Sequence, residues 1–475
     1  MNNKKAKSLL AAVIIFVLLT TTISIVSAKP NSGSSSLNNT FSIMQISDTQ
    51  FLAKSYPSLF TETTTWIKNN AAAYNLKMVI HTGDIVDNIG DTAHPELATV
   101  DLAQWSNAND AMNVLLSANI PYCWDAGNHD QIPWHDATGT WSGQSYAAFN
   151  VANMQSKPYW VGSFNDGKNT AVMFTCNGYK FLIINLEYKA TDATINWMKG
   201  LLDSHLDCNV IIAAHSYINY QGGYGTVAGN TLNDAAWCAN LKTILDGYPN
   251  VFLTLNGHDP RGYALSKTMG TRQEIYFARH NAASAPIPAT GAATVRIYTF
   301  NLATMQVSTT TYAINTHTWL TTTASQFSFN VNLKLAINPT DSWITGGGWI
   351  VDNTKNADLA INAQCKNDGT ITGKMAYNWL QDSYEWNLKT NTWTGLYISP
   401  DGSFAVLQGL ADIIKTDSTG QVIWSANDYK ITVELTDCSS DSVHLRILDN
   451  TGSVFHVAGA GNSGVLQGGQ LTIHL

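Results

Sequence analysis

Five short segments of this chain each end an apolar, β-branched run with a side chain able to bind a cation. They are SDTQ, carrying Asp48 and Gln50; HTGDIVDN, carrying Asp84 and Asp87; GNHD, carrying Asn128 and His129; AAHS, carrying His215; and NGHD, carrying His258. Nitrogen and oxygen donors of this mixture suit a divalent Mn, Fe, Zn or Ni ion. The runs before them are FSIMQI, KMVIHT, a weaker IPYCWDA, NVIIAA and VFLTLN, and they read as buried parallel strands. Ligands in open α/β sheets bind just beyond the carboxyl ends of the strands. Five such strands would carry Asp48, Asp84, Asn128, His215 and His258 to one rim.

The elements that must do this alternate from Phe41 to about Leu333. Helices are expected over SLFTETTTWIKNNAAAYN, around Trp105–Leu116, over DATINWMKGLLDSHL and from Asp234 to Leu245. AVMFTCNGYKFLIINLE reads as a hairpin turning at Asn-Gly. ATVRIYTFN, MQVSTTTYA and QFSFNVNL alternate as antiparallel strands do. The expected fold class is therefore α/β, with a two-layered mixed β-sheet domain flanked by helices over residues 41–335. After a linker at 336–342, residues 343–475 carry strand patterns separated by turn clusters such as NDG, SPDG, DSTG and DNTG, which predicts a C-terminal all-β sandwich or barrel.

Residues 1–28 begin with MNNKKAK, continue in an apolar stretch and end in Val26-Ser27-Ala28, the pattern of a secretory signal peptide. Retained, the same stretch would be a membrane anchor. Either way the rest of the chain is expected to be secreted, after a Ser/Asn/Gly linker at 29–40. The 475 residues are too many for one ordinary core. A net charge of −8 excludes a broad basic face for duplex nucleic acid. None of the six cysteines forms a CxxC pair, which disfavours a zinc knuckle; Cys365 and Cys438 are the candidates for a bridge in the C-terminal region.

GDIVDN, GNHD, a strand-end His and a later GH, in that order, resemble the calcineurin-like metallophosphoesterase superfamily. The running text WIKNN, GDIVDN, GNHD, INLEY, AHSY and GH is similar to its secreted bacterial and archaeal members, whose first motif often has Gln in place of His. The resemblance spans residues 41 to about 333. It implies hydrolysis of a phosphomonoester or phosphodiester by in-line attack of metal-activated hydroxide between two cations about 3.5–4 Å apart. It also implies roles. Asp84 would bridge the ions; Asn128, His215 and His258 would complete the second metal's shell; Asp48 and the Gln50 carbonyl would serve the first. His129 would stabilise the phosphoryl group and protonate the leaving oxygen, with Asp87 raising its pKa and fixing its tautomer.

Two positions depart from the family pattern. The usual DxH and GHxH histidines are replaced by Gln50 and Pro260. The second metal should bind firmly, and the first should be weak, exchangeable or completed by water and substrate. The competing reading is a catalytically weakened scaffold acting as a cell-surface or glycan-binding module through the β domain. That domain opens with TGGGWI, similar to small β domains appended to secreted microbial proteins. Trp379, Trp386, Trp393 and Trp424 are its candidate glycan platforms, although a packed core accounts for them more simply. His81 reads as a core or supporting His, and His135, His205 and His317 as surface or satisfied ones. Arg261, Arg279 or His280 could grip a phosphate.

Overall fold

The computed structural model describes residues 39–91, 94–136, 138–219, 221–224, 235–258, 265–269, 272–277, 293–336, 342–366, 369–399, 402–451, 453–459 and 464–474. The N-terminal apolar segment, Pro260, Arg261, Arg279 and His280 lie outside them. Two mixed sheets form the first part of the molecule. One runs in the order Thr318–Leu320, Gln306–Ala313, Thr294–Asn301, Thr40–Ile46, Leu76–Thr82, Tyr122–Asp125, with Phe327–Asn330 also paired to Gln306–Ala313. The other runs Leu265–Met269, Arg272–Tyr276, Val251–Asn256, Asn209–Ala214, Tyr179–Leu186, Asn169–Cys176, Trp160–Phe164. Thr40–Ile46, Leu76–Thr82 and Tyr122–Asp125 are mutually parallel, as are Tyr179–Leu186, Asn209–Ala214 and Val251–Asn256. The five apolar runs are thus divided between two sheets, and the expected rim spans both.

Burial explains why those runs lack alternation. Asn209–Ala214 and Val251–Asn256 are buried at every position. Each has one face on the opposite sheet and the other beneath helices. The inter-sheet core joins Phe41, Ile43, Met78 and Ile80 to Phe181, Ile183, Ile211 and Leu253. Helices Pro57–Asn70 and Leu102–Ser117 cover the first sheet through Phe60, Ile67, Trp105 and Met112. Asp192–Ser204 and Ala235–Asp246 cover the second through Met198, Leu202, Leu241 and Leu245. The expected hairpin turns at Asn177 and Gly178, with φ of 46° and 80°, the pair of left-handed residues a tight two-residue turn requires.

The C-terminal region is a single antiparallel sheet. Its order is Val454–Ala458, Ser442–Leu448, Val422–Thr436, Phe404–Thr416, Tyr384–Ile398, Met375–Gln381, Lys355–Cys365, Trp343–Asp352, Gly468–His474, with Ile371–Thr372 on Lys355–Cys365. Inward residues from the whole series, Ala458 at one end to Leu471 at the other, share one core. The sheet ends also approach each other: Ser442 bridges Val465, and the Asp441 and Asp437 carboxylates accept from the Leu471 and Ile473 amides, each at 2.8 Å. One sheet curled on itself, its edge strands Val454–Ala458 and Gly468–His474 not paired with each other among the described residues, is an open barrel rather than a two-sheet sandwich. Trp379 and Trp393 lie inside it, with Trp386 and Trp424 packed against the same core. All six cysteines are free; Cys365 is buried and Cys438 exposed, so the expected bridge does not form.

The barrel docks at the end of the sandwich where Thr40–Ile46 begins. Asn39 donates to Glu434 at 2.8 Å, and Arg446 to the Thr304 carbonyl at 3.0 Å. The Gln408 amide clamps the connecting segment, donating to Leu333 O at 2.9 Å and accepting from Leu335 N at 2.7 Å. Phe404 and Val406 extend the inter-sheet core, and a Cβ on Gly178 would stand 2.4 Å from the Tyr397 ring. The candidate rim lies at the other end of that seven-residue strand, roughly 20 Å away. Among the described residues, no helix is long and apolar enough to cross a membrane.

Candidate metal centre

The chain turns sharply where each strand ends. Asp48, Asp84 and His258 have φ of 54°, 51° and 89°, a left-handed backbone that L residues adopt at a cost. Hydrogen bonds hold these turns. Asp130 accepts from the Ile85, Val86 and Gly127 amides at 2.8, 2.9 and 2.7 Å, tying the loop after Leu76–Thr82 to the loop after Tyr122–Asp125. Gly127 is needed for this approach, since a Cβ there would lie 2.1 Å from Asp84 Oδ1. Asn88 adds a bond from its amide to the His129 carbonyl at 2.9 Å.

Four donor atoms meet within this frame. His215 Nε2 lies 3.2 Å from Asp84 Oδ1, 3.0 Å from Asn128 Oδ1 and 3.0 Å from His258 Nδ1. The donor atoms of Asp84, His215 and His258 all fall within 4.8 Å of one another. All four side chains are buried. His215 Nδ1 lies 2.8 Å from the Thr82 carbonyl, so Nδ1 carries the hydrogen and Nε2 turns its lone pair to the cluster. Lone pairs crowded on one point need a positive charge among them. Metal–ligand bonds near 2.1 Å separate neighbouring donors by about 3.0–3.4 Å, and the observed spacings match. The chain's own electrostatics agree: burial alone would lower His215, but Asp84 and the other carboxylates outweigh it and raise its pKa to about 10. In the absence of a metal, a proton takes the cation's place. Burial and the neighbouring His215 push His258 the other way, well below the usual imidazole range.

The side assigned to a first metal is differently built. Asp48 Oδ1 accepts from the His258 amide at 2.9 Å, and Ser47 donates to Oδ2. Asp48 is not in the cluster of Asp84, His215 and His258. Burial, reinforced by Asp84, raises its pKa to about 7. Gln50 donates from Nε2 to Asp84 Oδ2 at 3.0 Å, while its Oε1 is buried with no hydrogen-bond partner among the described residues. That orphaned carbonyl oxygen is a neutral donor a cation would satisfy.

His129 stands beside the cluster. Its Nδ1 lies 2.9 Å from Asp87 Oδ1, and Lys54 holds the other Asp87 oxygen at 2.5 Å. Burial lowers His129, but Asp84 and Asp87 outweigh it and raise its pKa above the usual value. Trp134 packs on the ring, centroid to centroid 4.5 Å. Asp87 is thus an ion-pair partner of His129, not the cap of the following helix; Asp101 fills that position, accepting from the Ala103 and Gln104 amides. His81 is buried, its Nε2 2.8 Å from Thr49 Oγ1, in the supporting position expected.

Other neighbours were not legible as such. Asp130 and Asn88 stand inside the quoted motif strings, but residue type alone does not show which backbone amides a carboxylate will gather. Asp125 lies fully buried with neither carboxyl oxygen bonded among the described residues, and burial pushes its pKa far up. Tyr188, of the INLEY string, is buried with its ring 5.4 Å from His258. His135, expected on the surface or satisfied elsewhere, is half-buried at the site, 5.8 Å ring to ring from His129. The long loop containing it folds back over the rim, which local spacing does not reveal.

Residues 41–261 match the family model for calcineurin-like phosphoesterases. The chain contains a calcineurin-like phosphoesterase domain. The phosphoesterase domain is similar to uncharacterized protein YvnB of Bacillus subtilis (strain 168), 32% identical over 222 residues. The match covers 46% of this chain and only 15% of that relative's length. Among solved structures, a point mutant of a cold-active protein tyrosine phosphatase aligns over 59% of this chain and 80% of its own. Its TM-score of 0.28 and 12% identity are too low to bear on fold or chemistry.

Proposed function

We propose that this chain is a secreted, metal-dependent phosphoesterase that hydrolyses phosphomonoesters or phosphodiesters. The observation carrying this reading is the convergence of Asp84, Asn128, His215 and His258 donor atoms beside an Asp87-paired His129. These four would hold one ion firmly; Asp48, Gln50 and Asp84 Oδ2 would hold a second ion weakly, because a neutral amide replaces an imidazole. When bound, such ions neutralise phosphoryl charge and supply hydroxide near neutral pH. We place the chain with the secreted members whose first motif ends in Gln, the barrel being an appended module.

The protein's own residues supply the rest. His129, held protonated by Asp87 and Asp84, donates to the phosphoryl group and passes a proton to the leaving oxygen. Asp87 fixes the ring so that Nε2 does this work. Trp134 covers one side of the imidazole and excludes water from it. The test is hydrolysis of p-nitrophenyl phosphate and bis(p-nitrophenyl) phosphate by the full chain supplied with manganese, iron or zinc. Metal-dependent turnover that Asp84→Asn and His129→Ala each reduce by about a hundredfold or more is expected. Absence of turnover with every metal refutes the proposal.

A further inference from the structure

We propose that His135 is a substrate-binding residue, a second imidazole that meets the phosphoryl group opposite His129. The proposal rests on the phosphoesterase reading and adds to it a residue outside the motifs.

His135 occupies a left-handed conformation, φ 60°, a region that His enters more readily than most residues. The surroundings here belong to the site. Its backbone amide donates to the carbonyl of Asn128 at 3.3 Å, so the loop bearing His135 is fastened to a candidate ligand. Its ring lies 5.8 Å from that of His129 and 6.0 Å from that of Tyr188. Tyr188 in turn lies 5.4 Å from His258 and 6.2 Å from His215. His135 thus stands between His129 and Tyr188, on the side of the cleft where Tyr188 meets the two ligand histidines.

The imidazole itself makes no hydrogen bond to the described residues. A half-buried imidazole beside His129 and Tyr188, with no side-chain bond to the described residues, leaves its nitrogens to solvent or to a ligand in the cleft. Two imidazoles about 6 Å apart can each reach a different oxygen of one phosphoryl group at ordinary hydrogen-bond length. Their roles differ. His129 has Asp87 beside it at 2.9 Å, whereas no carboxylate of the described residues stands within ion-pair distance of His135. An imidazole without a carboxylate partner can hold a phosphoryl oxygen but is not equipped to drive proton transfer to the leaving group. Such a contact acts on ground state and transition state alike, and its loss appears in KM rather than kcat.

The experiment uses the full chain loaded with manganese and the variants His135→Asn and His135→Gln. Asn tolerates the left-handed backbone but is too short to reach the same oxygen; Gln is longer and should recover part of the contact. The expected result is a KM for bis(p-nitrophenyl) phosphate, and a Ki for inorganic phosphate, about ten- to a hundredfold higher in His135→Asn. kcat should stay within about threefold, metal content should match wild type, and His135→Gln should fall between. Unchanged KM and Ki overturn the proposal, as does loss of metal with a parallel fall in kcat, which would make His135 a support for the Asn128 loop. Calorimetric titration of phosphate into manganese-loaded protein decides separately from turnover. If the wild type hydrolyses nothing, the functional reading fails. His135 is still supported if phosphate binds and His135→Asn weakens it, and refuted if phosphate does not bind or binds both alike.

Discussion

Replacing Asp87 by Asn isolates the device that keeps His129 protonated. The two side chains meet at 2.9 Å, placing their charge centres about 4 Å apart. At an effective dielectric constant near 20 that attraction is about 4 kcal/mol. Two features reduce it. Lys54 shares the same carboxylate at 2.5 Å, and the His129 side chain is 18% exposed. An acid catalyst works protonated, and Asp84 and Asp87 raise the His129 pKa, so activity falls as pH rises through it; Asp87→Asn should move the alkaline limb of kcat/KM toward lower pH. The effect should be larger for phenyl than for p-nitrophenyl esters, whose leaving group needs less help from an acid. Lys54→Met should move the limb upward or leave it in place, since it removes a cation from Asp87. The stability change has a definite sign too. His129's folded pKa is raised above its unfolded value, so its contribution is fully present below about pH 6.5 and disappears as pH rises through the folded pKa. Asp87→Asn should therefore cost stability chiefly in acid. A limb that stays put in Asp87→Asn, at wild-type metal content, would refute the pairing as the source of His129's charge.

On the proposed two-ion reading, Gln50→His should raise metal content after gel filtration toward about two per chain; plasma mass spectrometry reads this, and an unchanged ratio counts against Gln50 as the weak point. Because His215 is protonated at neutral pH without metal, with a pKa of about 10, binding of the first ion at pH 7 should release about one proton, measured by calorimetry in buffers of different ionisation enthalpy. Glu187 accepts from Lys168 at 3.1 Å and from Asn169 and Thr194 at 3.0 Å each, with Glu187 and Lys168 both buried. Glu187→Gln should remove the carboxylate that balances buried Lys168, leaving it the Gly139 carbonyl at 2.9 Å; a loss of about 3 kcal/mol should lower Tm by roughly 6–12 °C in a thermal melt.

The candidate rim could be read from the chain because each of its parts has a local cause. Apolar runs without alternation announced buried strands, and the residue ending each run is fixed in place by the strand itself. Asp48, Asp84, Asn128, His215 and His258 are all of this kind. Asn177-Gly178 announced its turn for the same reason, since two left-handed residues in succession select those side chains. Contacts made by long loops and between domains have no such local mark. His135 reaches the site because its loop returns to Asn128, and Asp130 gathers amides from a segment more than forty residues earlier in the chain. The barrel's form was open for a related reason: alternation of buried and exposed residues, clear along Lys355–Cys365, is the same whether a sheet faces another sheet or curls upon itself.

The rim is costly to hold without its cation, and that cost is localised. Three left-handed non-glycine residues, Asp48, Asp84 and His258, each oppose folding by about 1–3 kcal/mol. Beside them Asp125 is buried with no hydrogen-bond partner among the described residues, and His215 must keep a proton to balance Asp84. A cation at a thousand times its Kd adds about 4 kcal/mol, enough to offset much of this. The barrel shares none of the strain, since it joins the sandwich at the opposite end through Asn39, Gln408 and Arg446. Chelation should therefore raise amide hydrogen exchange over Asp84–Asn88 and Gly127–Asp130 while leaving the strand Phe404–Thr416 protected. Equal loosening of barrel and rim would mean that the metal centre stabilises the whole chain as one unit, and that the strain at these turns is not what the cation relieves.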